Sequence, residues 1–275
     1  MAGTGTTRLE AGETVKEWNT DEFDLHTLAA GRQVGRYPAL ARLEGFAHLV
    51  TGCGCGDFGP AHRGQDESAF EFIRDSLGAS GVAWSLHVHG INVLHADRPG
   101  RLGTADGLAT HTPGLAITAF SADCTDILIA DPVARAAGSL HVGWRGTAVR
   151  GASNLVRSMG QFFGSKPADL IVGVGPSIGP CCFFANDEMQ QVVKSFYGPL
   201  AGEILKPVRK HVAMDLWQAN VLDLLEAGVP RANIHVAGLC TSCRHDLFFS
   251  HQYTYLKDGT ITGTICSAIA IRDAT

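Results

Sequence analysis

The sequence nowhere approaches 18 consecutive apolar residues, roughly the length a helix needs to cross a bilayer, so no membrane span is expected. Its opening stretch, MAGTGTTRLEAGETVKEWNTDEF, lacks the apolar core of a secretory signal, and a cytoplasmic setting is the expectation. A basic stripe is missing too. Lys and Arg number 22 against 27 Asp and Glu, for a formal charge of −5, and they are scattered, which removes the electrostatic footprint of a nucleic-acid binder. No internal repeat and no low-complexity tract stands out, which argues against solenoids and linker-like chains.

What is present is an ordinary core. The chain has 275 residues, 45% hydrophobic and 18% charged. A chain of that size buries about 70–75% of its unfolded surface and needs no staple to stay folded. Any metal is therefore read as functional, and the eight cysteines as reduced thiols available as ligands or nucleophiles. Oligomeric state is not legible.

Residues 1–40 lack strong periodicity and are expected to form a peripheral extension, with the ordered core starting near Phe46. Phe70, Ile73 and Leu77 recur at helical spacing over residues 66–77, and Gly78 supplies the stop. Residues 82–89 and 91–96 read as strands around Gly90. Between residues 115 and 144 three apolar segments, LAITAFSA, DILIAD and AAGSLHVGW, are too short for helices and read as buried strands. Thr147 is expected to cap a helix carrying Val149, Ala152, Val156, Met159 and Phe163 on one face, and Asp215 to cap a second. LIVGVGP, NIHVAG and ITGTICSAIAI add strands. Strand often follows strand directly, so a single-domain α+β (mixed α/β) fold is expected, with mixed sheets flanked by helices.

His89 and His141 end apolar strands in HVHG and HVGWRG, and Cys124 ends another in SADC. Two imidazoles and a thiolate suit Zn²⁺ with a fourth position open, and imidazole plus thiolate also binds copper. The plainer reading makes the two histidines satisfied core residues and Cys124 a small hydrophobe. Asp123 is the candidate acid/base, against a carboxylate that merely holds a strand end. Arg145 is the candidate anion binder, against a surface ion pair. Asp106 in TADG either orients the site or caps a turn. Gly175 and Ser177, in the stiff loop GPSIGP, are candidates for lying against a ligand. Cys181 and Cys182 are expected to pack as buried thiols, since neighbours do not comfortably face one metal. Cys240-x-x-Cys243 resembles half a zinc site or a redox pair, and Cys53 and Cys55 a thiol turn.

HVHG, TADG, SADC, HVGWRG, GVGPSIGPCC, LDLLEAGV and FFS, in this order, resemble the laccase-domain or YfiH-type family. The resemblance covers roughly residues 44–270. It implies that residues 41–275 form the catalytic domain, with a fold related to the cytotoxic-necrotizing-factor deamidases. It also implies zinc held by His89, Cys124 and His141. The implied activity is phosphorolysis of adenosine, inosine, guanosine and methylthioadenosine, with deamination of adenosine; the implied ligands are a purine nucleoside and phosphate. Cys124 then belongs to the catalytic set with Asp123 and Arg145, and His87, Arg145, Gly175 and Ser177 to substrate binding.

The chain departs from the family pattern in two places. His87 stands where the family usually has glutamine, and if it lay on one strand face with His89 it would be a fourth ligand and close the metal shell. Gln252 and Thr264 stand where arginines are expected, which weakens the case for phosphate binding. Two other readings stay open. One is a copper-dependent phenol oxidase, although the twelve histidines are dispersed and only His87-x-His89 is paired. The other is a catalytically silent binding protein with a structural zinc.

Overall fold

Alternate residues of the central strands enter different cores, which is why these segments read as unbroken apolar runs rather than as alternating ones. In Leu115–Ser121, Leu115 and Ile117 face one way and Ala116 and Phe120 the other. In Thr125–Asp131, Leu128 and Ala130 oppose Ile127 and Ile129 in the same manner. The computed structural model, which describes residues 18–28, 31–208, 210–260 and 263–273, shows where these faces lead.

A seven-stranded sheet runs, edge to edge, through Asp24–Thr27, Gln33–Arg36, Phe46–Thr51, Ile265–Ile271, Leu115–Ser121, Gly81–Leu86 and Gly100–Thr104. A six-stranded sheet runs through Ile234–Val236, Ile171–Val174, Thr125–Asp131, Ala136–Val142, Gly107–Thr110 and Val93–His95. Both are mixed, with parallel pairs beside antiparallel ones. The inner faces meet in a core that includes Ile117 and Ile269 from the larger sheet and Leu128 and Ala137 from the smaller. Phe70, Ile73 and Leu77 of helix Ala69–Leu77 cover the outer face of the larger sheet. Helices Gly151–Phe163 and Leu216–Glu226 cover that of the smaller, through Leu155, Met159, Trp217 and Leu224. The mixed-sheet fold flanked by helices is thus as expected, in a helix/sheet/sheet/helix order.

The six-residue segment Ser121-Ala122-Asp123-Cys124-Thr125-Asp126 carries the chain from one sheet to the other. Asp123 takes φ 90° in this corner, a conformation that costs a non-glycine residue on the order of 1–3 kcal/mol and must be held by its surroundings. Beyond the corner, His141 pairs in register with Asp126, and both occupy the inner face at the end of the sandwich.

Two expectations are corrected. The segment expected to be peripheral supplies, from residue 18 on, an edge strand, the strand beside it and the buried side chains Phe23, Val34, Tyr37 and Leu40; its first 17 residues lie outside those described. Short strands carry too few periods to announce themselves in the sequence. Thr147 caps nothing: it lies inside the short helix Trp144–Ala148, where its carbonyl accepts from Tyr197 Oη at 2.9 Å, and Arg150, at φ 69°, precedes the next helix. Asp215 does cap its helix, accepting from Gln218 N at 3.0 Å.

His48 links this early segment to the sheet by accepting the Tyr37 N–H at 2.8 Å. Burial first, and then the Arg36 charge, bring its pKa down from 6.5 to about 3. The folded pKa is depressed, so the neutral ring's contribution is complete above pH 6.5 and is lost as pH falls from 6.5 toward 3. Between pH 7 and 5 the protein should lose about 2 kcal/mol more stability than His48→Gln, which keeps an acceptor but does not titrate. Urea unfolding at the two pH values measures this, and equal losses would contradict it.

Candidate functional site

Strand Gly81–Leu86 stops one residue before His87, and the reason is Asp106. Its carboxylate gathers successive backbone donors: Val88 N at 3.2 Å, His89 N at 2.9 Å and Gly90 N at 2.7 Å. Three N–H groups converge on one anion only if the chain curls, and His89 accordingly adopts φ 58°. His87 and His89 are therefore in a turn rather than on one face of a strand, which corrects the period-two expectation. The same carboxylate contacts His141 Nδ1 at 3.0 Å, so Asp106 both orients the site and caps the turn. With Nδ1 so engaged, Nε2 is the nitrogen His141 has left to offer.

The ligand atoms of His89, Cys124 and His141 lie within 4.8 Å of one another, and among the described residues no fourth His, Cys, Asp or Glu joins them. Gly143 stands against the group: a β-carbon there would lie 3.0 Å from His89 Nδ1 and 3.1 Å from Cys124 Sγ, so a larger residue would push these donors by a few tenths of an ångström. Burial on its own would raise the Cys124 thiol, but the His141 charge together with hydrogen bonds from His141 and His89 outweighs it and brings the pKa to about 7. Burial likewise opposes His141 protonation, and Cys124 followed by Asp106 overrides it, taking the imidazole to about 10. The two shifts have the directions expected of a thiol and an imidazole that favour each other's charged forms. A divalent ion would take the proton's place.

The group opens onto a cavity of about 480 Å³, within the range usual for small-molecule sites. Its wall includes His62, His87, Phe120, Asp123, Ile178, Phe183, His251, Gln252 and Thr264. His87 is not a ligand. Its ring stacks on His141 with centroids 4.6 Å apart and planes 10° apart, and both its nitrogens are buried without a hydrogen-bond partner. Burial, then the His141 charge, hold it well below the usual imidazole range. His62 and Phe120 continue this run of flat faces, 4.8 Å apart.

Asp123 lies on the wall with both oxygens held, Oδ1 by Thr241 Oγ1 and Oδ2 by Gln252 N, each at 2.6 Å. Burial raises its pKa against the pull of these donors. A second buried carboxylate, Asp126, escaped the sequence reading. It accepts from Ser121 Oγ at 3.0 Å and Ser267 Oγ at 2.8 Å, and burial pushes it up to about 6. Its signal was an acid at the head of the apolar run ILIA, directly after SADCT.

Arg145, Gly175 and Ser177 are not on the cavity wall. Arg145 is exposed, its guanidinium 4.4 Å over the neighbouring Trp144 ring. Gly175 donates to the Asp126 carbonyl at 2.8 Å, and Ser177 is fully buried and bridged to Cys240, so the loop presents Ile178 to the cavity instead. No Arg or Lys lines the cavity among the described residues.

The chain belongs to the family described as multi-copper polyphenol oxidoreductase laccase, whose model matches residues 61–272. It is 39% identical over 172 residues to purine nucleoside phosphorylase YlmD of Geobacillus stearothermophilus, a match covering 61% of this chain and 60% of that protein. It is 34% identical over 160 residues to adenosine deaminase RL5 of an unknown prokaryotic organism, covering 58% and 61%. The match therefore spans about three fifths of each of these relatives. The crystal structure of the same Geobacillus YlmD superimposes with a TM-score of 0.78 at 28% identity, covering 90% of this chain and 99% of that one.

Asp106→Asn should lower divalent-metal affinity by about 10- to 100-fold, because it removes the group that orients His141. Competition against a chromophoric chelator measures this. An unchanged affinity would show that His141 is held by something else.

Proposed function

We propose that this protein is a zinc-dependent purine nucleoside enzyme, with phosphorolysis and adenosine deamination as the candidate reactions. The observation that carries the reading is the convergence of His89, Cys124 and His141 on the floor of a nucleoside-sized cavity. The donor set fits zinc: two nitrogens and a thiolate, an oriented histidine, and a side facing the cavity that no further His, Cys, Asp or Glu closes among the described residues. When bound, zinc supplies Lewis acidity at that floor. The relatives' names, one a purine nucleoside phosphorylase and one an adenosine deaminase, support the substrate class.

The chain's own residues divide the remaining work. Phe120, Phe183 and the imidazoles of His62 and His87 offer flat surfaces to a purine. Asp123, on the wall with a raised pKa, is the group proposed to move a proton to or from the purine. For phosphate, Gln252 and Thr264 occupy the wall where guanidinium groups would serve; burial lowers the His62 pKa to about 4, which keeps that ring neutral and leaves His251 as the imidazole on the wall proposed to face an anion.

Purified, zinc-replete protein incubated with adenosine, inosine and guanosine, with and without phosphate, should release free base or deaminated product, and Cys124→Ala and His141→Ala should abolish this. Oxidation of phenolic dyes without nucleoside turnover would replace the proposal with a copper oxidase. Gln252→Arg should lower the phosphate concentration for half-maximal phosphorolysis about tenfold or more, the equivalent of one charge-assisted hydrogen bond. No change in that concentration would place the phosphate elsewhere.

A further inference from the structure

Four cysteines outside the cavity group meet where two loops run side by side. Strands Ile171–Val174 and Ile234–Val236 are parallel neighbours, so residues 175–184 and 237–250 leave the same sheet end together. Their backbones stay joined: Ser177 bridges Cys240, Thr241 N donates to Ser177 O at 3.0 Å, and Gly179 N donates to Cys240 Sγ at 3.2 Å. On one loop, Cys182 N and Phe183 N both close on Gly179 O, at 2.9 and 3.0 Å, and this tight turn presents Cys181 and Cys182 to the same point. On the other, Arg244 N closes on Cys240 O at 2.8 Å, and this turn sets Cys240 and Cys243 on one side.

Cys181 and Cys182 pack against the core beside Cys240 as expected, but contrary to the expectation that neighbouring cysteines do not face one point, they also converge with the Cys240-x-x-Cys243 pair. The four sulfurs lie within 4.8 Å of one another, with Cys243 Sγ 3.6 Å from Cys181 Sγ and 3.5 Å from Cys182 Sγ. Sulfurs held at about 2.3 Å around a tetrahedral zinc are about 3.8 Å apart, so the observed separations match a shared ion. A disulfide needs about 2.05 Å, and no disulfide joins any of the four. The four side chains also rest against the hydrophobic core, so packing accounts for their burial but not for the convergence of their sulfurs. The Gly179 N–H directed at Cys240 Sγ is the kind of backbone donor that supports a metal-bound thiolate.

We propose that Cys181, Cys182, Cys240 and Cys243 form a second zinc site, closed and structural, that clamps the two loops together. It does not depend on the nucleoside reading. An all-sulfur tetrahedral set selects zinc over hard cations and leaves no position for substrate. The clamp still bears on the cavity, because one loop supplies Ile178 and Phe183 to its wall and the other supplies Thr241, which holds Asp123 at 2.6 Å.

The full-length protein, purified under reducing conditions with zinc present, should contain about two zinc ions per chain by elemental analysis. Cys181→Ser/Cys243→Ser should lose one, and Cys124→Ala/His141→Ala the other. In the latter variant the remaining zinc should show only sulfur neighbours, at about 2.3 Å, by X-ray absorption at the zinc edge. That measurement keeps the test decisive if the serine variant fails to fold. About one zinc per chain in the unaltered protein, nitrogen or oxygen neighbours in the Cys124→Ala/His141→Ala variant, or a disulfide within the quartet under reducing conditions would overturn the proposal.

Discussion

The Asp106 carboxylate is the interaction on which the cavity depends. A buried anion must be paid for by donors, and here they are the backbone of residues 88–90 and the His141 imidazole. By drawing three consecutive N–H groups inward it ends a strand and forces His89 into the left-handed region. By contacting Nδ1 it fixes which nitrogen of His141 is offered. One side chain thus determines the direction of two donors that are far apart in sequence, and Gly143 leaves room for them and Cys124 to meet.

The sheet-switching corner does comparable work on the opposite side. Asp123 holds a strained backbone, and Thr241 and Gln252 hold its carboxylate, so the segment carrying Cys124 is tied to the loops that close the cavity. Those loops also bear the cysteine quartet. Hydrogen bonds to Asp123 tie the second loop to the corner, and the four converging sulfurs join the two loops to each other in the proposed zinc clamp.

The architecture was legible where periodicity is strong. The three runs between residues 115 and 144, the helix ending at Gly78 and the Asp215 cap all appear as the residues suggested. The His89, Cys124 and His141 grouping was legible as donor chemistry at strand ends, although only the fold brings the donors together. What escaped depends on turns and on distant partners. The turn at residues 87–90 is imposed by Asp106, which no local pattern reveals. Ser177 faces away from the cavity because its strand-like bridge to Cys240 takes it inward, and the cysteine quartet unites two pairs about 60 residues apart that each look unremarkable alone.

The most direct test of the account is anomalous scattering at the zinc edge from crystals of the protein grown with zinc. The account predicts a peak bonded to His89, Cys124 and His141, with its remaining position facing the cavity. A peak that also contacts His87, or none at that place while zinc binds elsewhere, would contradict it.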